Sequence, residues 1–341
     1  MKKILTLLLC LAVITGFSQE IFLVDNRPGQ PADFTDFQEA IDSVPAGSIL
    51  YLAASNTNYG TVDLDKSMTI IGGGRFATEN NSGRTQITTI NVKNDIDSLK
   101  VYGVYGYQIQ AKPYFINTLV LNGNRFGELE FKAIHILIEN NVIMANLRSY
   151  NPDAINVIIQ NNYFFASIHG FTSNATIIRN NLFAKNSSAF GQLGGIGPPV
   201  RLQNAIVENN IFLGRSPQGC IGCVFRNNLT FDTTNDTIPY ELTTGENNFI
   251  GEDPMFVDVP NPYISNTFDI KHDMRLRDDS PYKTAGTDGT EIGLYGGAHP
   301  FNSSGVPLIP QLQRIELSNT VVPPGSEIEV KVKLRDLRNE K

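Results

Sequence analysis

The sequence predicts an all-β protein whose short strands coil into a parallel solenoid. Apolar runs that contain a paired asparagine recur along the chain, and the residues before each pair alternate between apolar and polar. Such alternation is typical of strands. The repeat is about twenty residues long, which is too short for a unit that contains a crossover helix. A unit of this kind buries its apolar side by stacking on its own copies, with parallel pairing between coils.

Each repeat can be numbered by its second asparagine. These positions are Asn124, Asn141, Asn162, Asn181, Asn210, Asn228 and Asn248, with one longer interval between Asn181 and Asn210. The residue two positions upstream is always polar, and the residue three positions upstream is apolar in all but the last repeat. Each unit therefore reads as a strand, a two-residue corner and another strand. Because crossovers between parallel strands are overwhelmingly right-handed, a right-handed coil is predicted.

The paired asparagines are interpreted as structural residues. A sharp corner between strands requires a residue near the left-handed region, which Asn tolerates better than other non-glycine residues. Stacking places each amide about 4.8 Å from the next, where the side chains are expected to form a hydrogen-bonded ladder. Asn162, in NVIIQNNYFFA, is thus predicted to be one rung of this ladder.

With these features the sequence resembles the right-handed parallel β-helix, or pectin-lyase-like, superfamily, whose two-residue turn commonly carries an asparagine ladder. The segment TDFQEAIDSVPAGSILYLAA predicts a capping helix that begins with a capping box of Thr35 and Gln38. Its predicted buried face is Phe37, Ala40, Ile41 and Val44. The coils are expected to begin at MTIIGGG, and MRLRDDSPYKTAGTDGTEIGLYGG resembles the closing element of secreted bacterial members. The resemblance implies the fold but no single function, because the superfamily includes lyases, hydrolases, esterases, adhesins and non-catalytic proteins.

Three segments are predicted along the chain. Residues 1–19 form a signal peptide with two lysines and a short apolar run, the alternative being an N-terminal membrane anchor. Residues 20–302 form the parallel β-helix domain, and residues 303–341 form a linker and a two-stranded tail. No other segment is apolar enough to span a membrane. The protein is therefore expected to be secreted, periplasmic or on the cell surface.

Charge and cysteines narrow the choice of partners. The chain has 27 Lys and Arg against 34 Asp and Glu, a net charge of -7, which disfavours nucleic acid and anionic membranes. Beyond the leader, Cys220 and Cys223 are the remaining cysteines. In an oxidising compartment, Cys220 and Cys223 either form a local disulfide or remain two semi-buried thiols.

The candidate site lies on the strands that precede each asparagine-bearing strand. These are read as ELEF (128–131), NLRSY (146–150), SIHGF (167–171) and VRLQ (200–203), with Leu129, Leu147, Ile168 and Val200 or Leu202 inward. The outward residues are then Glu130, Arg148, His169 and Arg201, one per coil. Arg148, His169 and Arg201 are the candidate catalytic residues, and Glu130, Tyr150 and Lys185 are the candidate substrate-binding residues.

These residue types suit a uronate lyase. That reaction needs a cation beside the substrate carboxylate and a base that removes the C5 proton. The alternative is that the charges are ordinary solvated surface. A hydrolase of the polygalacturonase type is disfavoured, because its clustered aspartates and Gly-His-Gly are missing and only His169-Gly170 is present. No cofactor is predicted except for calcium, which Asp253, Asp258, Asp288 and Glu291 could bind, although DP and DG pairs are first of all turn formers.

Two further features remain open. The excursion AKNSSAFGQLGGIGPPV is either a functional loop over the cleft or a tolerated insertion.

An apolar stripe is expected to face outward at Val120, Leu137, Ile158, Ile177, Ile206 and Val224. The tail strands RIELSNTV and EIEVKVKL place Ile315, Leu317, Ile328, Val330, Val332 and Leu334 on one face. The tail either covers the stripe or the last coil, or begins an immunoglobulin-like domain.

Two classes of function follow. As an enzyme the protein would be a polysaccharide lyase; as a non-catalytic protein it would be an adhesin-like solenoid that binds a cell-surface glycan or other polysaccharide.

Overall fold

The computed structural model describes residues 19–76, 83–173, 176–184, 189–190, 202–233, 236–259 and 272–307, and the backbone of 311–317 and 330–335. The predicted signal peptide therefore lies almost wholly outside the described residues.

The helices and strands follow one another in short segments. The N-terminal part contains β1 (Ile21–Val24), α1 (Phe37–Ser43), β2 (Ile49–Leu52), β3 (Thr61–Leu64), β4 (Met68–Gly72), β5 (Gln86–Val92), β6 (Ile96–Tyr102), β7 (Tyr105–Asn122), β8 (Arg125–Phe126) and β9 (Glu128–Glu139). The middle part contains β10 (Val142–Ile143), β11 (Leu147–Ser149), β12 (Val157–Gln160), β13 (Tyr163–Phe164), β14 (Ile168–His169), β15 (Thr176–Arg179), β16 (Leu182–Ala184), β17 (Leu202–Gln203), β18 (Ile206–Glu208) and β19 (Ile211–Leu213). The C-terminal part contains β20 (Cys220–Ile221), β21 (Val224–Arg226), β22 (Leu229–Phe231), β23 (Thr244–Glu246), β24 (Phe249–Ile250), β25 (Phe256–Asp258), β26 (Asp273–Leu276), a 3₁₀ helix (Pro281–Thr284), β27 (Gln311–Leu317) and β28 (Val330–Arg335).

Parallel pairing between successive coils arranges the strands in three columns. The first column is β1, β2, β4, β6, the end of β7, the end of β9, β12, β15, β18, β21 and β23. The second column begins with Tyr105, the first residue of β7, and continues with β8, β10, β13, β16, β19, β22 and β24. The third column is β3, β5, residues 108–111 of β7, residues 128–131 of β9, β11 and β14. The predicted all-β parallel solenoid is confirmed.

The interior of the coil is filled by the inward residues of the three columns. Leu129, Leu147 and Ile168 are fully buried on neighbouring coils of the third column. On the second column the rings of Phe164, Phe183 and Phe212 stack, with centroids 5.0 and 5.1 Å apart. The alternation read from the sequence therefore assigned the inward side correctly at these positions.

The two residues of each corner, between the first and second columns, have different roles. The first asparagine adopts the left-handed conformation, with φ of 59° at Asn140, 52° at Asn161 and 53° at Asn180. In the earlier unit LNGN this place belongs to Gly123, with φ of 71°. The corner therefore needs one residue that accepts a positive φ, and Asn or Gly supplies it.

The second asparagine of each corner lies inside the solenoid. Asn162 is fully buried, and its Nδ2 donates to the carbonyls of Ile138 and Gln160 at 2.8 Å and to Oδ1 of Asn181 at 3.0 Å. Amide-to-amide bonds of 3.0 to 3.1 Å likewise join the consecutive members Asn124, Asn141, Asn162, Asn181, Asn210, Asn228 and Asn248.

The N-terminal helix is present, but its boundaries differ from the prediction. Its N-cap is Asp36, whose carboxylate accepts from the backbone N–H of Glu39 at 2.8 Å, and not Thr35. The capping-box spacing is thus satisfied one residue later than predicted. Gln38 bonds both backbone groups of Asp63 on β3, which is the first strand of the third column. Coiling also starts earlier than MTIIGGG, because β1 and β2 already pair in parallel.

The predicted closing element turns back along the side of the solenoid. We call residues 285–307 the strap. The side chain of Asn227 donates to Ala285 O at 2.8 Å, and that of Asn161 donates to Leu294 O and Gly296 O at 2.8 and 2.9 Å. The first asparagine of a corner therefore also fixes the strap.

Further contacts fix the rest of the strap. Asn302 N donates to Asn140 Oδ1 at 2.7 Å. The fully buried guanidinium of Arg75 donates to Asn140 O and Asn302 O, and it lies between the rings of Phe76 and Phe301. Burial lowers the pKa of Arg75. Contacts between the strap and the solenoid therefore extend from the C-terminal coils to the N-terminal coils.

β25, β26 and the strap cover the outward side of the second column. Phe256, Leu276 and Ile292 pack in one buried cluster with outward residues of that column, such as Leu182 and Ile211. Strands buried on both faces read as continuous apolar runs, which explains YFFA and IFLG after the paired asparagines.

Two smaller predictions are resolved. Cys220 and Cys223 are both buried and are joined by a disulfide. The two-stranded tail is present as the antiparallel pair of β27 and β28. Ile328 lies outside the described residues.

Candidate functional site

The outward side of the third column carries a continuous row of polar residues, which we call the polar face. Its members are level with one another on successive coils, in the order Asp63, Asn91, Gln110, Glu130, Arg148 and His169. Adjacent strands place such residues about 4.8 Å apart. The predicted stacking of Glu130, Arg148 and His169 is therefore present.

Arg148 is held by carboxylates of the preceding coil. Its Nη1 donates to Glu128 Oε1 and lies 3.4 Å from Glu130 Oε1. The three side chains are 24, 32 and 22% exposed, so they meet the solvent only in part. The two carboxylates therefore balance the positive charge of Arg148, which would otherwise attract the carboxylate of a uronate.

Tyr150 extends this cluster on the same coil. Its hydroxyl donates to Glu130 Oε1 at 2.8 Å, and Lys112 Nζ lies 4.2 Å from the centre of its ring. Burial raises the pKa of the Tyr150 phenol, and the bond to Glu130 raises it further. The phenol is therefore protonated near neutral pH and suits hydrogen bonding better than proton abstraction.

His169 lies at the more enclosed end of the polar face. It is 8% exposed, and its Nε2 lies 3.3 Å from Asn146 Oδ1. Asn146 Oδ1 also accepts from the backbone N–H of Ser167 at 3.4 Å. The imidazole is therefore positioned by a neutral amide on the neighbouring coil.

The remaining predicted site residues are not brought into this cluster. Arg201 and Lys185 lie outside the described residues. Among the described residues, Phe190 is level with Ile168 on the next coil, and Leu202 is level with Cys220. The roles of Arg201 and Lys185 stay predictions.

Sequence reasoning missed three participants. Glu128 and Asn146 lie two residues before Glu130 and Arg148, and the period of two places them on the same outward side. That signal was available in the sequence. Lys112 could not be found in this way, because an irregularity between Ala111 and Phe115 shifts the register of β7.

Other possible sites in the described part of the chain are less suitable. A cleft lined by Arg275, Arg277 and Lys283 is electrically balanced, because these cations pair with Asp273, Asp279 and Glu291. No group of three or more His, Cys, Asp or Glu in the described ranges could hold a metal ion. The aspartates considered for calcium therefore do not form such a group.

Comparison with known proteins found no matching family model and no similar curated protein. Among the helices of the described residues, none has the length and apolar character needed to cross a membrane.

Proposed function

We propose that this protein acts outside the cell and binds a polysaccharide along the polar face without cleaving it. The observation that carries the proposal is the position of Arg148 between Glu128 and Glu130. A cation that already contacts two carboxylates is poorly suited to neutralise a uronate carboxylate in a transition state. The same cluster offers both donors and acceptors to sugar hydroxyls.

The geometry of the polar face also supports an extended glycan. Rungs about 4.8 Å apart are close to the length of one sugar unit in an extended chain. Asn91 and Gln110 each offer a donor and an acceptor along this direction, and Glu130 offers acceptors. Tyr150 supplies an aromatic ring beside the row, and aromatic rings commonly pack on apolar faces of ligands. The expected ligand is neutral or weakly charged and rich in hydroxyl groups.

Affinity gel electrophoresis of the full chain against xylan, β-glucan, polygalacturonate and alginate tests the proposal. Gln110→Ala and Tyr150→Ala should each reduce retardation by the preferred glycan about 5- to 20-fold, corresponding to about 1–2 kcal/mol. Lys100→Ala, on the first column, is the matched control and should leave retardation unchanged. Equal retardation of all variants, or no retardation by any glycan, would overturn the proposal.

A uronate lyase is the second candidate. It is favoured by one arrangement, the placement of Arg148, Tyr150 and His169 on neighbouring coils. Ultraviolet absorbance of unsaturated products, measured with pectate, alginate and chondroitin sulfate, with and without calcium, distinguishes the two. Product formation that is lost in His169→Ala would establish the lyase and refute simple binding.

The extracellular location rests on the leader. Expression of the full chain with its leader, followed by N-terminal sequencing of the exported protein, should give a first residue between Ser18 and Ile21. Retention of the intact leader in the membrane fraction would instead indicate an anchor.

A further inference from the structure

The first column carries an outward row of aliphatic side chains, which we call the apolar stripe. Val120, Leu137, Ile158, Ile177, Ile206 and Val224 are level with one another on successive coils. All six are partly exposed, and none belongs to either buried cluster formed by the described residues. A continuous aliphatic row on a solenoid surface indicates a binding partner.

The second column carries an equivalent outward row of aliphatic residues, and in that column the row is covered. There the outward residues Leu182, Ile211 and Leu229 are covered by the C-terminal segment of the same chain and are at most 1% exposed. The cover is intramolecular and runs along the solenoid axis. The apolar stripe is the corresponding row on the adjacent column.

The chain continues with a segment of matching character. In the pair of β27 and β28, Ile315 is opposite Val332 and Leu317 is opposite Val330. An irregularity after Leu312 keeps the Leu312–Leu334 pair in the same row. Directly opposed residues of a sheet share a face, so the register gathers aliphatic positions on one face of this hairpin. An isolated two-stranded sheet is marginally stable in water and requires a surface to cover that face.

The length of the hairpin fits the apolar stripe. β27 has seven residues and would extend about 23 Å. The apolar stripe crosses five intervals between coils and is about 24 Å long.

The point where the chain leaves the strap also favours this pairing. Pro307 packs against Gly103, so closely that a Cβ at Gly103 would lie 2.0 Å from Pro307 Cγ. Gly103 follows β6, and Lys100 of β6 is level with Val120 at the start of the apolar stripe. The four Cα–Cα steps from Pro307 to Gln311 can span up to about 14 Å, which is enough to bring β27 to that row.

We propose that the hairpin of β27 and β28 docks with its aliphatic face on the apolar stripe of its own chain. The sheets would then pack face to face about 10 Å apart. The charged positions Lys331 and Lys333 alternate with the aliphatic positions of β28 and would remain on the solvent side. The solenoid would consequently be covered on two of its three columns, leaving the polar face open.

The test uses the full chain with one reporter thiol at a time, introduced by Ile158→Cys on the apolar stripe or by Thr89→Cys on the third column. Each reporter is combined with no second change, with Val332→Asp, or with the control Lys333→Asp. Alkylation of the stripe reporter should accelerate about tenfold in the Val332→Asp background, because burial of the charge would undock the hairpin. It should change little in the Lys333→Asp background, and the third-column reporter should react at one rate throughout.

Two outcomes would overturn the proposal. Equal alkylation rates of the stripe reporter in all three backgrounds would show that the hairpin does not cover the apolar stripe. Protection of the stripe reporter that increases with protein concentration, together with a dimer in size-exclusion chromatography with light scattering, would assign the apolar stripe to a second copy instead.

Discussion

The corner between the first and second columns and the polar face of the third column are both rows of polar side chains that repeat once per coil. In the corner, Asn141 and Asn162 are fully buried and bond to backbone carbonyls as well as to each other. On the polar face, Glu130 and Arg148 are partly exposed and bond to side chains. Repetition alone therefore does not distinguish the two rows. Glu130 and Arg148 differ from Asn141 and Asn162 in their burial and in the identity of their hydrogen-bond partners.

The largest effect is expected from Asn162→Ala. The substitution removes five hydrogen bonds: those that Asn162 Nδ2 donates to Ile138 O, Gln160 O and Asn181 Oδ1, and those that Asn162 Oδ1 accepts from the backbone and side-chain N–H groups of Asn141. At about 0.5–1.5 kcal/mol for each lost bond, the free energy of unfolding should fall by about 3–5 kcal/mol. Urea unfolding followed by circular dichroism measures it, and Gln110→Ala is the exposed control. Glycan binding per folded molecule should be unchanged, and a loss of binding without a loss of stability would contradict the structural role.

A smaller effect is expected from Asn161→Gly. Glycine accepts the positive φ of this position, so the substitution removes mainly the two bonds to Leu294 O and Gly296 O on the strap. The free energy of unfolding should fall by about 1–2 kcal/mol. Limited proteolysis within residues 285–307 should accelerate. Asn247→Gly is the matched control, because Asn247 has the same left-handed conformation and is exposed. Equal acceleration of proteolysis in both variants would show that the side chain of Asn161 does not hold the strap.

On the polar face, Arg148→Gln should change stability by less than about 1 kcal/mol, because partly exposed ion pairs contribute little. Glycan binding should fall, since the variant rearranges Glu128 and Glu130. Thermal unfolding and affinity gel electrophoresis on the same samples test both statements. A loss of stability as large as that of Asn162→Ala would mean that the polar face is a structural row like the corner.

The smallest effect concerns alkaline pH. The pKa of Tyr150 is raised above the ordinary value of 10.0 by burial and by Glu130. Its contribution to stability is therefore present below the unfolded value and is lost as pH rises through the folded value. Tyr150→Phe should make the decline in melting temperature above pH 10 slightly shallower than in the parent. A steeper decline in the variant would contradict a raised pKa of Tyr150 in the folded protein.

The coil was predictable because its signals are local. Alternation identified the inward residues of β9, β11 and β14, and the same period placed Glu130 level with Arg148 and His169. The N-cap at Asp36 was missed by one residue, because Thr35 and Asp36 are both good caps and only the fold decides between them. The placement of Arg201 stays a prediction, because this residue lies outside the described residues and alternation carries no register across the long excursion that precedes it.

By itself the sequence determined the strand period, the position of each corner and the residue types that a corner accepts, because these depend on neighbouring φ and ψ angles and on side-chain alternation. Only the tertiary structure decided what each of the two asparagines does. Asn162 turns into the interior, whereas Asn161 bonds a strap more than a hundred residues away in the chain. It also decided that Arg148 meets two carboxylates, because that neutralisation depends on the distance between coils and on side-chain burial, neither of which is encoded in any short segment.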